Sequence, residues 1–202
     1  MRFAFCLFLM ALAAGPVLAE DQPVQDTASA SVSVAPAKVL TEAQKRAAEL
    51  DHLFAELHQP KLLNADSIEA KVWTLWAYND SPTAELLLKQ AGVAMDDRAF
   101  DTSETMLDTV VESYPDFFEA RNKRATLYFN MKRYDDALAE LDAVLDAEPR
   151  HFGAMAARGF IFSAQKKYKD AADAFREALS LNPNMQGVAA ALKQLQHDYP
   201  DI

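Results

Sequence analysis

The sequence predicts an all-α protein, a right-handed α-solenoid of antiparallel helix pairs. Pro115, Pro149 and Pro183 recur at a constant interval of thirty-four positions in the 202-residue chain. The residues fifteen positions before each proline are aromatic, and those twelve positions before it are small: Phe100, Tyr134 and Tyr168; Ser103, Ala137 and Ala171. A fixed period of this length indicates one helical unit that is copied and stacked along the chain. Nine helices and no strand are therefore expected.

The first element, residues 1–19, has the three parts of an export signal. Arg2 supplies the positive start, and an apolar run follows that is too short to span a bilayer. Cleavage is expected after Ala19, and an uncut N-terminal anchor is the alternative. The sole cysteine, Cys6, would leave with the signal. Small repeats, an N-terminal signal and the lack of disulfides fit a bacterial periplasm better than a eukaryotic secretory product, so a periplasmic or secreted location is expected.

The charge of the chain argues against two classes of partner. Its formal charge is −10, and removal of the signal takes away one Arg and no acid, which leaves −11. Nucleic acid and anionic membrane surfaces both require clustered Lys and Arg. A protein or peptide partner is expected instead, with no membrane insertion after signal cleavage.

Residues 20–40 are rich in Ala, Ser, Val, Pro and Gln and lack helical periodicity. This composition predicts a flexible tether. Residues 41–80 then predict a degenerate helical hairpin. Thr41 and Gln44 form a capping-box pair ahead of its first helix.

The second helix of the hairpin is predicted to begin at Asp66, with Glu69 as its box partner. Trp73 and Trp76 are spaced like a buried stripe on this helix, and we interpret them as core residues rather than as a ligand site. Stacked arrays need their ends covered. The hairpin is therefore expected to cover the exposed apolar end of the first repeat.

Three repeats are predicted over residues 84–185, with bounds 84–117, 118–151 and 152–185. Ser81 and Pro82 open the first, because Ser favours the N-cap and Pro the first helical turn. Each repeat is a helix, a short turn and a second helix that ends near its proline. Residues 186–202 predict a C-terminal capping helix and tail.

Over residues 84–185 the chain resembles the tetratricopeptide repeat (TPR) family. The third copy matches the columns of the family best, through Gly159, Phe162, Tyr168, Ala171, Phe175, Ala178 and Pro183. The small residues at these columns allow the two helices of a repeat to approach closely. The hairpin with its two tryptophans also resembles the lead-in of small exported bacterial repeat proteins.

The resemblance implies a concave groove that is lined by the first helices of successive repeats. The positions that match it are Leu88, Met95, Asn122, Thr126, Phe129, Asn130, Ala156, Phe160 and Ser163. Glu85 and Glu119 would stand at one edge. Phe129 and Phe160 are predicted to anchor a peptide, with Asn122 available to its backbone. The alternative is that the two Phe side chains pack against neighbouring helices.

The implied function is an exported TPR adaptor or scaffold that binds a peptide segment or helix of an envelope protein and aids complex assembly. A self-assembling homo-oligomer with no separate ligand is the alternative. One variant of the family grips acidic C-terminal peptides through basic groove residues. The corresponding positions here are Leu88, Gly92, Lys123, Gly153 and Ala157. Only Lys123 is basic, so we predict no affinity for such peptides.

No enzyme, cofactor or metal site is predicted. The five glycines form no phosphate-binding loop, and no serine lies in a nucleophile-elbow motif. His52 and Glu56 supply two ligands where a zinc site needs three or four. A basic cluster at Arg121, Lys123 and Arg124 is interpreted as a solvated helix face, and a rim that steers an acidic partner is the alternative.

Overall fold

The computed structural model describes residues 40–60 and 63–201. The predicted export signal and almost all of the predicted tether lie outside these residues. Within the described ranges the chain forms nine α-helices and no strand. They are α1 (Glu42–Leu57), α2 (Ala65–Trp76), α3 (Pro82–Asp96), α4 (Phe100–Ser113), α5 (Phe118–Asn130), α6 (Tyr134–Ala147), α7 (Phe152–Ala164), α8 (Tyr168–Leu181) and α9 (Gln186–Asp198). None of these helices has the length and apolar character needed to cross a membrane.

The predicted α-solenoid of helix pairs is confirmed, and its period is visible in the backbone. Arg98, Lys132 and Lys166 are separated by the same interval as the three prolines, and each has a φ of 60° or 61°. Each follows the first helix of a pair. At the first turn, the N–H of Ala99 donates to the carbonyl of Ala94, and the N–H of Arg98 to that of Met95. This is the Schellman pattern that ends a helix, and it recurs at the other two turns.

The helix starts at Thr41 and Ser81 are confirmed. Thr41 and Gln44 exchange both hydrogen bonds of the capping box. The Ser81 hydroxyl accepts the N–H of Ala84, and Pro82 occupies the first turn of α3. Both caps depend only on residues within one helical turn, which is why the local sequence predicts them.

The predicted start of α2 is wrong. The helix begins at Ala65, one residue earlier, and its N-cap Asn64 makes no side-chain capping bond. Glu69 does not close a capping box. Its carboxylate accepts a hydrogen bond from Trp73 Nε1 at 3.2 Å and another from Asn182 Nδ2 at 2.9 Å. The local pattern predicts that Glu69 caps its own helix, whereas in the structure its carboxylate bonds to Asn182, which is distant in the sequence.

The small residues of each pair lie where its two helices touch. The Ser103 hydroxyl, which is fully buried, donates to the carbonyl of Ala91 at 2.9 Å and joins α4 to α3. At Gly159 on α7, an added Cβ would stand 2.4 Å from Cδ1 and Cε1 of Phe175 on α8. Any side chain at residue 159 would therefore require the Phe175 ring to shift. The close approach inferred from the sequence is therefore present at both positions.

The hairpin α1–α2 packs in a different place from the one predicted. The core around the first repeat contains no hairpin residue. The apolar face of the hairpin instead forms one cluster with Phe118, Phe152, Leu181 and Met185. These residues lie at the starts of α5 and α7 and around the turn from α8 to α9. The expectation that the hairpin covers the end of the first repeat is therefore wrong, because its aromatic side chains find partners two repeats away.

Candidate protein-binding groove

The first helices of the three pairs lie side by side, with α3 beside α5 and α5 beside α7. We call the side of this row that faces away from α4, α6 and α8 the inner face. It corresponds to the groove that the sequence predicts. Its N-terminal part, at the starts of α5 and α7, is where the hairpin packs.

An aromatic cluster joins the hairpin to the start of α7. The ring of Trp76 stacks on His151 with a centroid distance of 4.1 Å and an interplanar angle of 11°. Trp73 meets the same imidazole edge-on at 5.3 Å and Phe152 at 5.8 Å. Phe54 of α1 reaches Phe152 at 6.2 Å. The interpretation of both tryptophans as packing residues agrees with these contacts, which bind the hairpin to the inner face.

His151 has a defined hydrogen-bonding role in this cluster. It is fully buried, and its Nδ1 accepts the N–H of Ala154 at 3.0 Å, which caps the start of α7. Its Nε2 therefore carries the proton and lies 3.3 Å from the carboxylate of Glu119. The two carboxylate oxygens of Glu119 also accept hydrogen bonds from Asn122 Nδ2, each at 3.1 Å. Glu119 is consequently buried rather than at an open groove edge, and Asn122 is already engaged.

Gly153 makes room for the hairpin. A Cβ at this position would stand 2.5 Å from Cη2 and 2.8 Å from Cζ2 of Trp73. Polar contacts to the middle and the end of α1 reinforce this packing. Arg150 donates to Asp51 at 2.6 Å, and Asn184 donates to the carbonyl of Leu57 at 2.8 Å.

The sequence reasoning missed the roles of His151 and Gly153. The sequence did contain a signal for Gly153, because this residue lies at the second position of a helix, where no turn requires a glycine. For His151 the local signal is its place immediately before α7, where a side-chain acceptor caps the helix. Neither signal identifies the tryptophans as the partners.

The predicted groove residues differ widely in exposure. Leu88 and Ala156 are buried in the cores of their repeats. Met95 and Phe129 are half-buried, and the Phe129 ring packs at 5.9 Å from Tyr134. Asn122 and Ser163 are also half-buried. The exposed residues on the inner face are Thr126, Asn130 and Phe160. Phe160 is 41% exposed, with one ring edge on Phe175 at 4.9 Å.

Two open clefts flank α2 on the inner face. One, of 610 Å³, lies between the C-terminal half of α2 and helices α3 and α5, and its lining includes Tyr78, Leu88, Gly92 and Lys123. We call it the α3 cleft. The other, of 480 Å³, lies between the start of α2 and helices α7 and α9 and contains Phe160. We call it the Phe160 cleft. The hairpin therefore divides the predicted groove.

The basic cluster on α5 is largely a structural element. Arg124 donates to Asp108 of α4 at 2.7 Å and to Glu140 of α6 at 2.6 Å, and Arg121 lies 3.4 Å from the same Glu140. Burial lowers the pKa of Arg124, but the hydrogen bonds to Glu140 and Asp108 outweigh it, so its pKa is raised. Lys123 alone of the three lines the α3 cleft. A steering rim formed by all three residues does not fit these pairings.

The described part of the chain holds no group of three or more His, Cys, Asp or Glu side chains that could bind a metal ion. The His52 and Glu56 side chains lie 3.3 Å apart on α1 as an exposed pair.

Comparison with known proteins identifies the repeat. The tetratricopeptide repeat family model matches residues 122–185. The first TPR domain of Spaghetti (RPAP3), solved bound to the HSP90 peptide SRMEEVD, is 19% identical over 60% of this chain and 97% of that chain, with a TM-score of 0.56. The Sgt2 TPR domain from Aspergillus fumigatus is 15% identical over 60% of this chain and 82% of that chain, also with a TM-score of 0.56.

A third solved structure, MamA (AMB-1), is 20% identical over 74% of this chain and 86% of that chain, with a TM-score of 0.51. A search of curated proteins found no significant match. At these identities the solved structures show a common fold, and the family model independently recognises the repeat in the sequence. The solved structures therefore show that the chain has the fold of TPR domains, and residues 122–185 match the tetratricopeptide repeat family model.

Proposed function

We propose that this chain is an exported adaptor that binds a peptide segment or helix of a cell-envelope protein on its inner face and aids assembly of a larger complex. The observation that carries the proposal is Phe160, a large apolar side chain that is 41% exposed in an open cleft. Exposed apolar residues that line a cleft are typical of interaction sites. A structurally similar TPR domain was solved with a bound peptide, which agrees with a peptide-sized partner.

The bound segment would contact the parts of the inner face that α2 leaves open. Phe160 would anchor an apolar side chain in the Phe160 cleft, and Thr126 and Asn130 of α5 would supply polar contacts beside it. The α3 cleft offers Gly92, next to which an added Cβ would meet no atom within 4 Å, and Lys123. A mixed apolar and polar segment suits this surface better than a strongly charged one.

The exported location rests on the pattern of residues 1–19 and on the acidic, cysteine-free remainder of the chain. Its test is the intact mass of the protein recovered from the envelope or the medium. An intact mass that corresponds to a chain starting at Glu20 supports export with cleavage. A mass that includes Met1 to Ala19 would replace it with a retained N-terminal segment.

The binding site is tested by in-cell photocrosslinking from a probe amino acid at position 160. The matched control is the same probe at Ala139, which is exposed on the second helix α6. A single recurrent envelope protein at position 160, absent at 139 and lost in Thr126→Glu, supports the adaptor. Adducts only to the chain itself would establish the homo-oligomer instead, and equal adducts at both positions would overturn the site.

A further inference from the structure

The first repeat leaves uncovered the helix face that every later repeat buries. Two columns of residues, which recur once in each repeat, form this face. In α5, α7 and α9 both columns are buried, through Ala120 and Leu127, Ala154 and Ile161, and Val188 and Leu195. In α3 the same columns hold Leu86 and Val93, which are 55% and 56% exposed. We call the surface around these two residues the end face.

The helices that cover the later faces show what kind of element fits the end face. Leu127 and Ala120 of α5 share one core with Leu107, Val110 and Val111 of α4. In the same way α6 packs on α7, and α8 on α9. The fitting element is therefore the second helix of a preceding repeat, with apolar residues at spacings of three and four.

The chain already contains a helix in that place of the sequence. One period before α4 lie residues 66–79, and α2 spans Ala65–Trp76. One period before Leu107 and Val110 stand Trp73 and Trp76. Yet α2 does not pack extensively on α3 and instead lies on the inner face, with both tryptophans against His151 and Phe152. The repeat period therefore assigns Trp73 and Trp76 to the end face, but in the structure they lie on the inner face.

We propose that the hairpin α1–α2 exchanges between two positions. In the docked position, seen in the structure, it occupies the N-terminal part of the inner face. In the capping position Trp73 and Trp76 cover Leu86 and Val93, as α4 covers α5. Residues 77–81, the short segment between α2 and α3, are where the chain turns between the two.

The docked position is held by the aromatic contacts of Trp73 and Trp76 and by hydrogen bonds from Asn182 and Asn184, which the exchange must replace. Its ion pair between Asp51 and Arg150 is exposed, and exposed ion pairs stabilise a structure only weakly. Gly153 gives the Trp73 ring space but no hydrogen bond. In the capping position the hairpin would bury Leu86 and Val93 of α3, and this burial would offset the exposure of Phe152 on the inner face.

The exchange would regulate the inner face, because departure of the hairpin joins the α3 cleft and the Phe160 cleft into one groove. This regulatory consequence rests on the proposed function, whereas the two positions rest on the repeat geometry alone. The test therefore uses the mature chain without any ligand, so that its failure is separate from a failure of peptide binding.

The test uses two properties of the sequence. Both tryptophans lie in the hairpin, so intrinsic fluorescence reports on the hairpin alone, and the mature chain contains no cysteine.

Val93→Cys provides a thiol on the end face, and the rate at which a maleimide labels this thiol measures its exposure. Ala139→Cys on α6 is the control thiol. Gly153→Val drives the hairpin off the inner face, because a Cβ at residue 153 meets Trp73 at 2.5 Å.

Gly187→Val is the matched control substitution. Gly187 stands one period after Gly153 at the same position of its helix, and a Cβ there meets no atom within 4 Å. If Gly153→Val moves nine-tenths of the molecules to the capping position, labelling of Val93→Cys slows about tenfold. The control substitution and the control thiol should show no such change.

Slower end-face labelling in Gly153→Val alone supports the exchange. A shift in tryptophan emission without slower labelling would overturn it, because the hairpin would then leave the inner face without capping α3. No change in either signal would also overturn it, because the docked position would then be fixed. Where Gly153→Val lowers the helix content, Asn182→Ala, which removes the hydrogen bond to Glu69, is read in the same two assays.

Discussion

Gly159→Ala should destabilise this protein even though it removes a glycine from a helix interior. Alanine favours an α-helix over glycine by about 1 kcal/mol. The new Cβ, however, would stand 2.4 Å from two ring atoms of Phe175 and 3.1 Å from a third. Phe175 is buried in the core of the third repeat and is also held by Phe160. Overpacking of this kind costs about 1–3 kcal/mol, so the expected net loss is about 1 kcal/mol.

Gly92→Ala is the matched control, because Gly92 lies inside α3 and its Cβ would meet no atom within 4 Å. Only the helix preference acts there, so this variant should gain about 1 kcal/mol. The two variants should then differ by about 2 kcal/mol. For a chain of this size that separates their melting temperatures by about 4–8 °C.

The comparison is made by urea unfolding and thermal melts of residues 20–202, followed by far-UV circular dichroism. Equal stability of the two variants would refute the close approach of α7 and α8 at Gly159, and with it the packing role of the small-residue column. Gly159→Leu extends the series, since its longer side chain cannot avoid the Phe175 ring and should lower the melting temperature further.

Three further outcomes are expected. Ser103→Ala removes the buried hydrogen bond to the carbonyl of Ala91 and should cost about 1 kcal/mol in urea unfolding; an unchanged midpoint would contradict that bond. Asn182→Ala leaves Glu69 without its partner on the α8–α9 turn and should shift the tryptophan emission, whereas a spectrum identical to that of the unmodified chain would mean that this contact does not hold the hairpin. Calorimetric titration with the peptide SRMEEVD should detect no micromolar binding, because Lys123 is the single base among the five positions that would grip its carboxylates.

The features that the sequence predicted well act over short distances. The constant period, the caps at Thr41 and Ser81, and the small residues at Ser103 and Gly159 each reflect a contact within one turn or one helix pair. Such contacts leave a regular pattern, because the same packing problem recurs in each repeat. Because of this repetition, the fold of the chain can be predicted from its residues.

The candidate site was less predictable, because it depends on contacts between distant parts of the chain. Asp51 pairs with a residue 99 positions away, and Glu69 with one 113 positions away. Glu119 was assigned to an open edge, but the structure buries it against His151. No periodic pattern encodes a contact that occurs once.

The sequence by itself determined that this protein is a stacked array of helix pairs, because each pair repeats the same local spacing of small, aromatic and helix-ending residues. Only the tertiary structure decided where the hairpin lies. Its apolar stripe would suit either the end of the first repeat or the inner face, since hydrophobic burial is not directional. The choice was made by shape and hydrogen bonding, through the space above Gly153 and the partners that His151 and Asn182 provide. That placement in turn decides how much of the inner face remains open to a partner.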